Sequence, residues 1–349
     1  MQSAAGRASA EIPAQKPATW QNRSLMTETK PWAFDESLQP REDEVDFDLA
    51  QVLDAVVLLR AEIPEDAFTG GILGTEREGY GVVIREDGLV LTIGYLITEA
   101  ENIWLTTNAG TVVAGHALAY DQATGFGLVQ PLGRLRAPPL ARGSAAALSA
   151  GDEVYVIGHG GRAHALKAKL VAKREFAGYW EYLLDEALFT APAHLQWGGA
   201  ALVDQGGRLV GIGSLLVQEV TGENSVQGNM FVPIDLIEPI LGELLAHGRA
   251  ARPPRPWLGM YTQQAEGRLI VGGLAPGSPA ERAGVQAGDL VLGVAGERTN
   301  SLADFLRRVW RLGGPGVEVP LMLARQGDVL RLNVRAADRN DFLKKPRLH

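Results

Sequence analysis

Short runs of aliphatic and β-branched residues, bounded by Gly, Asp and Asn, recur along most of this chain. The runs at 55–59, 102–106, 112–117, 127–129, 153–157, 169–172, 208–212 and 229–232 predict strands. Two more, at 79–84 and 88–92, meet at a tight Asp87-Gly88 turn. Strands this short and this regularly spaced predict a sandwich or barrel, so the fold class is all-β dominated. Helical spacing shows in two places. At 233–245 apolar residues follow Pro233, which suits a first helical turn. At 301–312, Leu302, Phe305, Leu306 and Val309 fall on one face, with Asn300 or Ser301 available as the cap.

Composition shifts divide the chain further. Residues 1–45 are rich in Ala, Gln, Glu, Pro and Ser and predict a flexible N-terminal arm. The arm contains Trp20, Trp32 and Phe34, which either dock on the domain surface or mediate self-association. Residues 46–246 hold the strand-rich region. Residues 247–256 include Arg-Pro-Pro-Arg-Pro and predict an extended linker. Residues 257–337 form a second unit, and 338–349 a tail with no assigned role.

The residues themselves carry a resemblance. The Gly79-Tyr-Gly stretch and the Leu91-Thr92 strand end, the Asp121-Gln-Ala-Thr124 segment, and the loop Gln196-Trp197-Gly198-Gly199-Ala200-Ala201-Leu202-Val203 resemble three segments of HtrA/DegP-type serine proteases. Residues 257–337 resemble one PDZ domain. They contain Trp257-Leu258-Gly259-Met260 at a carboxylate-binding loop, and a long Ser278-Pro-Ala…Gly284…Gly-Asp289 pattern. The resemblance spans roughly residues 50–337. It implies a chymotrypsin-like double β-barrel followed by an α+β PDZ domain, and it implies that Trp257, Leu258, Gly259 and Met260 receive peptide carboxylates through backbone N–H groups. N-terminal aromatics serve trimer formation in that family, so a homo-oligomer through the arm is implied as well.

The residues that perform the family's chemistry are missing. The position of the catalytic histidine is Tyr95, that of the aspartate is Gly125, and that of the serine is Gly198. A serine hydroxyl needs a base, and the base needs an acid to fix its tautomer. Tyrosine ionises near pH 10 and is a poor base at neutral pH. Gln196 stands where the family uses a glycine to turn an N–H into the oxyanion hole, with Trp197 beside it. The expectation is a catalytically degenerate protease fold that acts as a peptide-binding scaffold or regulatory subunit. The alternative is an HtrA-type endopeptidase with a displaced apparatus, drawing on Ser144, Ser214 or Ser225 and on a relocated base such as His194. The aromatic run at 179–183 reads as ordinary packing or as a partner site.

Composition narrows the rest. The 349 residues carry a net charge of −8 with no basic stripe, which disfavours nucleic acid. There is no cysteine, hence no disulfide, thiol nucleophile or thiolate metal site. No histidine pair has ligand spacing, so neither metal nor other cofactor is expected. No run of about eighteen apolar residues exists to span a membrane. The first residues show no signal-peptide core, which points to the cytoplasm, or to the periplasm if the chain is a trimmed form.

Overall fold

The computed structural model describes residues 32–221 and 224–345. Eighteen strands fall into three sheets. The first six are β1 (Val56–Glu62), β2 (Glu76–Val83), β3 (Val90–Ile93), β4 (Asn102–Thr106), β5 (Val112–Tyr120) and β6 (Phe126–Pro131), and they close a barrel in the order β1-β2-β3-β6-β5-β4. The next six are β7 (Glu153–Ile157), β8 (Ala165–Gly178), β9 (Tyr182–Ala191), β10 (Ala201–Val203), β11 (Leu209–Thr221) and β12 (Asn224–Pro233). They close a second barrel, β10-β11-β12-β9-β8-β7. One continuous apolar core, including Leu59, Leu91, Phe126, Leu166 and Phe231, joins the two barrels.

The third sheet comprises β13 (Met260–Ala265), β14 (Arg268–Leu274), β15 (Leu290–Val294), β16 (Glu297–Arg298), β17 (Glu318–Arg325) and β18 (Asp328–Arg335). In β17, Val319, Leu321 and Leu323 point inward while Glu318 and Pro320 face out, the two-residue period of a half-buried strand. The helix Leu302–Arg311 covers this sheet, and its Ser301 hydroxyl accepts the Asp304 N–H. The Gly-Asp motif has a structural task. The Asp289 carboxylate accepts the Gln286 N–H and takes both arms of Arg325 at 2.6 and 2.7 Å.

Several sequence expectations are corrected. The helix expected over 233–245 is two pieces, a 3-10 turn Ile234–Leu236 and a helix Leu241–His247. Pro239 lies between them and lacks the N–H that a continuous helix would use. Strands β9 and β10 were not anticipated. The linker is held at two points: Arg252 pairs with Asp121, and the Arg255 guanidinium lies over Trp310 at 3.9 Å from the ring centre. The tail also packs. Phe342 stacks against Trp257 at 4.8 Å and Phe68 at 5.7 Å, and the Lys344 N–H donates to Glu99 at 2.8 Å.

Residues 32–45 of the arm are docked as well. The Phe34 N–H donates to the Ala163 carbonyl, and Trp32 and Phe34 lie edge-on to His194. Trp20 lies outside the described residues.

Candidate functional site: the cleft between the barrels and a filled carboxylate loop

The three positions singled out in the sequence do converge between the barrels. The loop after β9 approaches β2 through the Tyr80 N–H, which donates to the Gly198 carbonyl at 2.8 Å. A Cβ on Gly198 would stand 2.9 Å from the Tyr95 hydroxyl, so the nucleophile and base positions face each other. The Gly94 N–H donates to the Gly125 carbonyl at 2.7 Å, which brings the acid position beside the base position.

The groups occupying these positions are Tyr95, Gly125 and Gly198. The Tyr95 hydroxyl donates to the Ser214 carbonyl at 3.0 Å and also bonds the Trp197 side chain. Burial pushes its ionisation above the ordinary tyrosine range, so it is further from being a base than the sequence implied. The Tyr95 hydroxyl stands against the space a side chain at 198 would use. Behind them, Arg77 donates to the Tyr95 carbonyl at 2.6 Å and the Thr98 carbonyl at 3.0 Å, fixing the backbone of the base position.

The oxyanion side is closed by a contact the sequence did not show. The Gln196 N–H donates to His194 Nδ1 at 3.1 Å, and the Gln196 amide oxygen accepts the Tyr80 hydroxyl. An N–H committed to an imidazole is unavailable to a developing oxyanion. Because Nδ1 accepts, the His194 proton sits on Nε2, which donates to the His164 carbonyl at 3.0 Å. His194 is therefore a satisfied core residue at 0% exposure, neither a surface histidine nor a relocated base.

Burial lowers the His194 pKa to about 4. Below pH 6.5 the unfolded chain takes up this proton while the folded chain does not, so stability is complete above 6.5 and is lost as pH falls through 4. The full loss is about 3 kcal/mol. Thermal melts between pH 7 and pH 4.5 should show the decline, and His194→Asn, which keeps an acceptor near Nδ1, should flatten it. An unchanged slope in that variant would assign the acid sensitivity elsewhere.

The second site is the loop ahead of β13. Gly259 takes φ +76°, and a Cβ there would lie 2.3 Å from the Ser278 side chain. With that turn the N–H groups of Leu258, Gly259 and Met260 aim at one point, and a carboxylate lies there: Glu181, from the β8–β9 turn. Glu181 Oε1 accepts from Leu258 at 3.2 Å, Gly259 at 2.6 Å and Met260 at 3.0 Å, while Oε2 accepts from Leu258 at 3.1 Å. Burial pushes the Glu181 carboxyl up to about 7 against the pull of these donors. Trp257 opens this loop, and its ring comes to 3.0 Å from where a Cβ on Gly259 would stand. Its backbone pairs with Ala337 and its ring packs between Phe68 and Phe342. Glu181 was not singled out in the sequence. Its one signal was position, a charged residue inside an aromatic run.

Comparisons with known proteins agree with this architecture. The family described as "trypsin-like peptidase domain" matches residues 79–212, and "PDZ domain" matches residues 270–309. The chain is 23% identical over 262 residues to the serine endoprotease DegS of Haemophilus influenzae, covering 73% of this chain and 76% of that protein. It is 26% identical over 314 residues to the periplasmic pH-dependent serine endoprotease DegQ of Escherichia coli, covering 82% and 68%. It is 25% identical to a probable periplasmic DegP-like endoprotease of Halomonas elongata, where it spans 76% of this chain but 57% of that protein. Among solved structures, a variant of the HtrA-type protease AlgW with a tripeptide matches 86% of this chain and 99% of that one, at TM-score 0.50 and 18% identity. The relatives named periplasmic overturn the cytoplasmic expectation.

Proposed function

This chain carries a trypsin-like peptidase domain and one PDZ domain, and its homologues are HtrA-, DegP- and DegS-type serine endoproteases; we propose that it is a peptide-capturing protein of this kind with a silent peptidase centre. One observation carries the reading. Three successive N–H groups at 258–260 converge on a carboxylate, so the loop already has the shape that receives a peptide C-terminus. The double barrel then acts as a scaffold or regulatory surface. Its centre offers Gly198 for a nucleophile, a hydrogen-bonded Tyr95 for a base and Gly125 for an acid. By homology the protein works in the periplasm. Any self-association through the arm rests on residues other than Trp32 and Phe34, which are spent within the chain.

A second reading has homology in its favour: an endopeptidase with a displaced apparatus. The described serines give it little. Ser144 donates to Asp235 at 2.5 Å and caps the following turn by accepting the Ala146 N–H. Ser214 is buried, and the Ser225 side chain lies outside the described residues. Incubation with a fluorophosphonate probe separates the readings. No labelling and no casein turnover are expected, and stoichiometric labelling of any serine would establish the endopeptidase.

A further inference from the structure

The β8–β9 turn lies against the PDZ domain as a peptide would. The carboxylate of Glu181 fills the loop at 258–260. Two residues earlier, the Tyr179 carbonyl accepts the Thr262 N–H at 3.1 Å, which pairs the turn with β13 just beyond that loop. Two residues later, Leu183 is buried within the apolar cluster of the PDZ domain, alongside Leu258, Phe305 and Leu306. The carboxylate loop, the strand edge and an apolar side chain among helix residues are the three elements by which an extended C-terminal peptide is recognised. All three are supplied here from within the chain. The hairpin is also clasped from the helix side: Arg307 pairs with Glu175 on β8 and Asp185 on β9, both at 2.5 Å. Glu181 adopts φ +61°, a left-handed conformation uncommon for glutamate, which turns its side chain into the loop.

We propose that the β8–β9 turn is an internal ligand of the PDZ groove, with Glu181 in place of a C-terminal carboxylate and Leu183 in place of a C-terminal apolar side chain. The inference rests on the peptide-capture reading above and adds to it a closed state. An outside peptide then binds by displacing the turn, and its apparent affinity is reduced by the fraction of chains that are open. The expected partner is a C-terminal segment ending in an aliphatic residue with a free carboxylate, since only both features together replace what Glu181 and Leu183 give up. Displacement also moves β8 and β9, so peptide capture is mechanically tied to the second barrel. The same hairpin carries both the groove contacts and strands of the barrel wall.

The test uses the full-length chain, its Glu181→Ala and Glu181→Gln variants, and amide hydrogen exchange together with titration of a C-terminal peptide library in free-acid and amidated forms. Exchange should show Leu258, Gly259 and Met260 protected in the parent chain and exposed at least tenfold in Glu181→Ala, with Glu181→Gln between them. Binding of free-acid aliphatic peptides should tighten about tenfold to a hundredfold in Glu181→Ala, and amidated peptides should gain nothing. If Glu181→Ala fails to fold, Arg307→Ala, which releases the clasp on Glu175 and Asp185 from the exposed side, should show the same direction of change in both readouts. Unchanged exchange at 258–260 in the Glu181 variants would overturn the internal-ligand proposal. Loss of protection with no binding of any free-acid peptide would leave the internal ligand standing and remove peptide capture from the function.

Discussion

A chain carrying Tyr95→His, Gly125→Asp and Gly198→Ser together will cleave casein at no more than about 1% of the rate an intact centre supports. The variant does restore adjacency. Residue 198 faces residue 95 closely enough that a serine and a histidine would meet, since a Cβ at 198 lies 2.9 Å from the present Tyr95 hydroxyl. Two defects remain. Gly125 takes φ +84°, and a Cβ there would meet the Tyr182 hydroxyl at 3.0 Å, so an aspartate is strained and crowded where it should orient the imidazole. The Gln196 N–H is held by His194 Nδ1, and one missing oxyanion donor costs about 10²–10³ in rate. Adding Gln196→Gly to the three changes should recover part of the loss by freeing that peptide to turn. Full activity in the triple variant would show that the oxyanion hole re-forms without help.

Replacing Arg77 should be the most damaging single change outside the two sites. Arg77 is 5% exposed, and its guanidinium donates to the carbonyls of Gly74, Tyr95 and Thr98 and to the Thr69 hydroxyl. Arg77→Ala strands these acceptors in a buried place and removes a positive charge that interacts with Glu99. Breaking a buried ionic network on one side costs about 3–5 kcal/mol. For a domain of this size that lowers the melting temperature by about 10 °C. Glu99 also accepts the Lys344 N–H, so the C-terminal segment should become sensitive to proteolysis in the same variant. Arg77→Lys keeps the charge but cannot reach four acceptors, and should fall between. A loss below about 1 kcal/mol in Arg77→Ala, by urea denaturation, would show that the network is not what ties these segments together.

Much of the architecture was legible in the sequence because its causes are local. Short apolar runs at 102–106 and 153–157 fixed strands with the bounds the structure shows, and of the two cap candidates, Asn300 and Ser301, the structure uses Ser301. The turn at Gly259 was implied by the PDZ resemblance, whose carboxylate loop aims adjacent N–H groups at one anion. The residues Tyr95, Gly125 and Gly198 were legible at three separate places in the sequence, and the structure brings those positions together. Pro239 misled the helix reading because apolar spacing alone does not report a missing N–H.

What only the tertiary structure decided lies in contacts between distant segments. His194 blocks the Gln196 N–H only because β2, the docked arm and the loop after β9 enclose its ring. The Trp257 ring is held between Phe68, edge-on, and Phe342, tilted, two residues far apart in sequence. Glu181 meets the N–H groups of residues 77 to 79 positions later in the chain. A periodicity records which face of a segment is buried, but a single carboxylate has no period. Its partner is set by where two folded domains come to rest, and that depends on the whole packed surface between them.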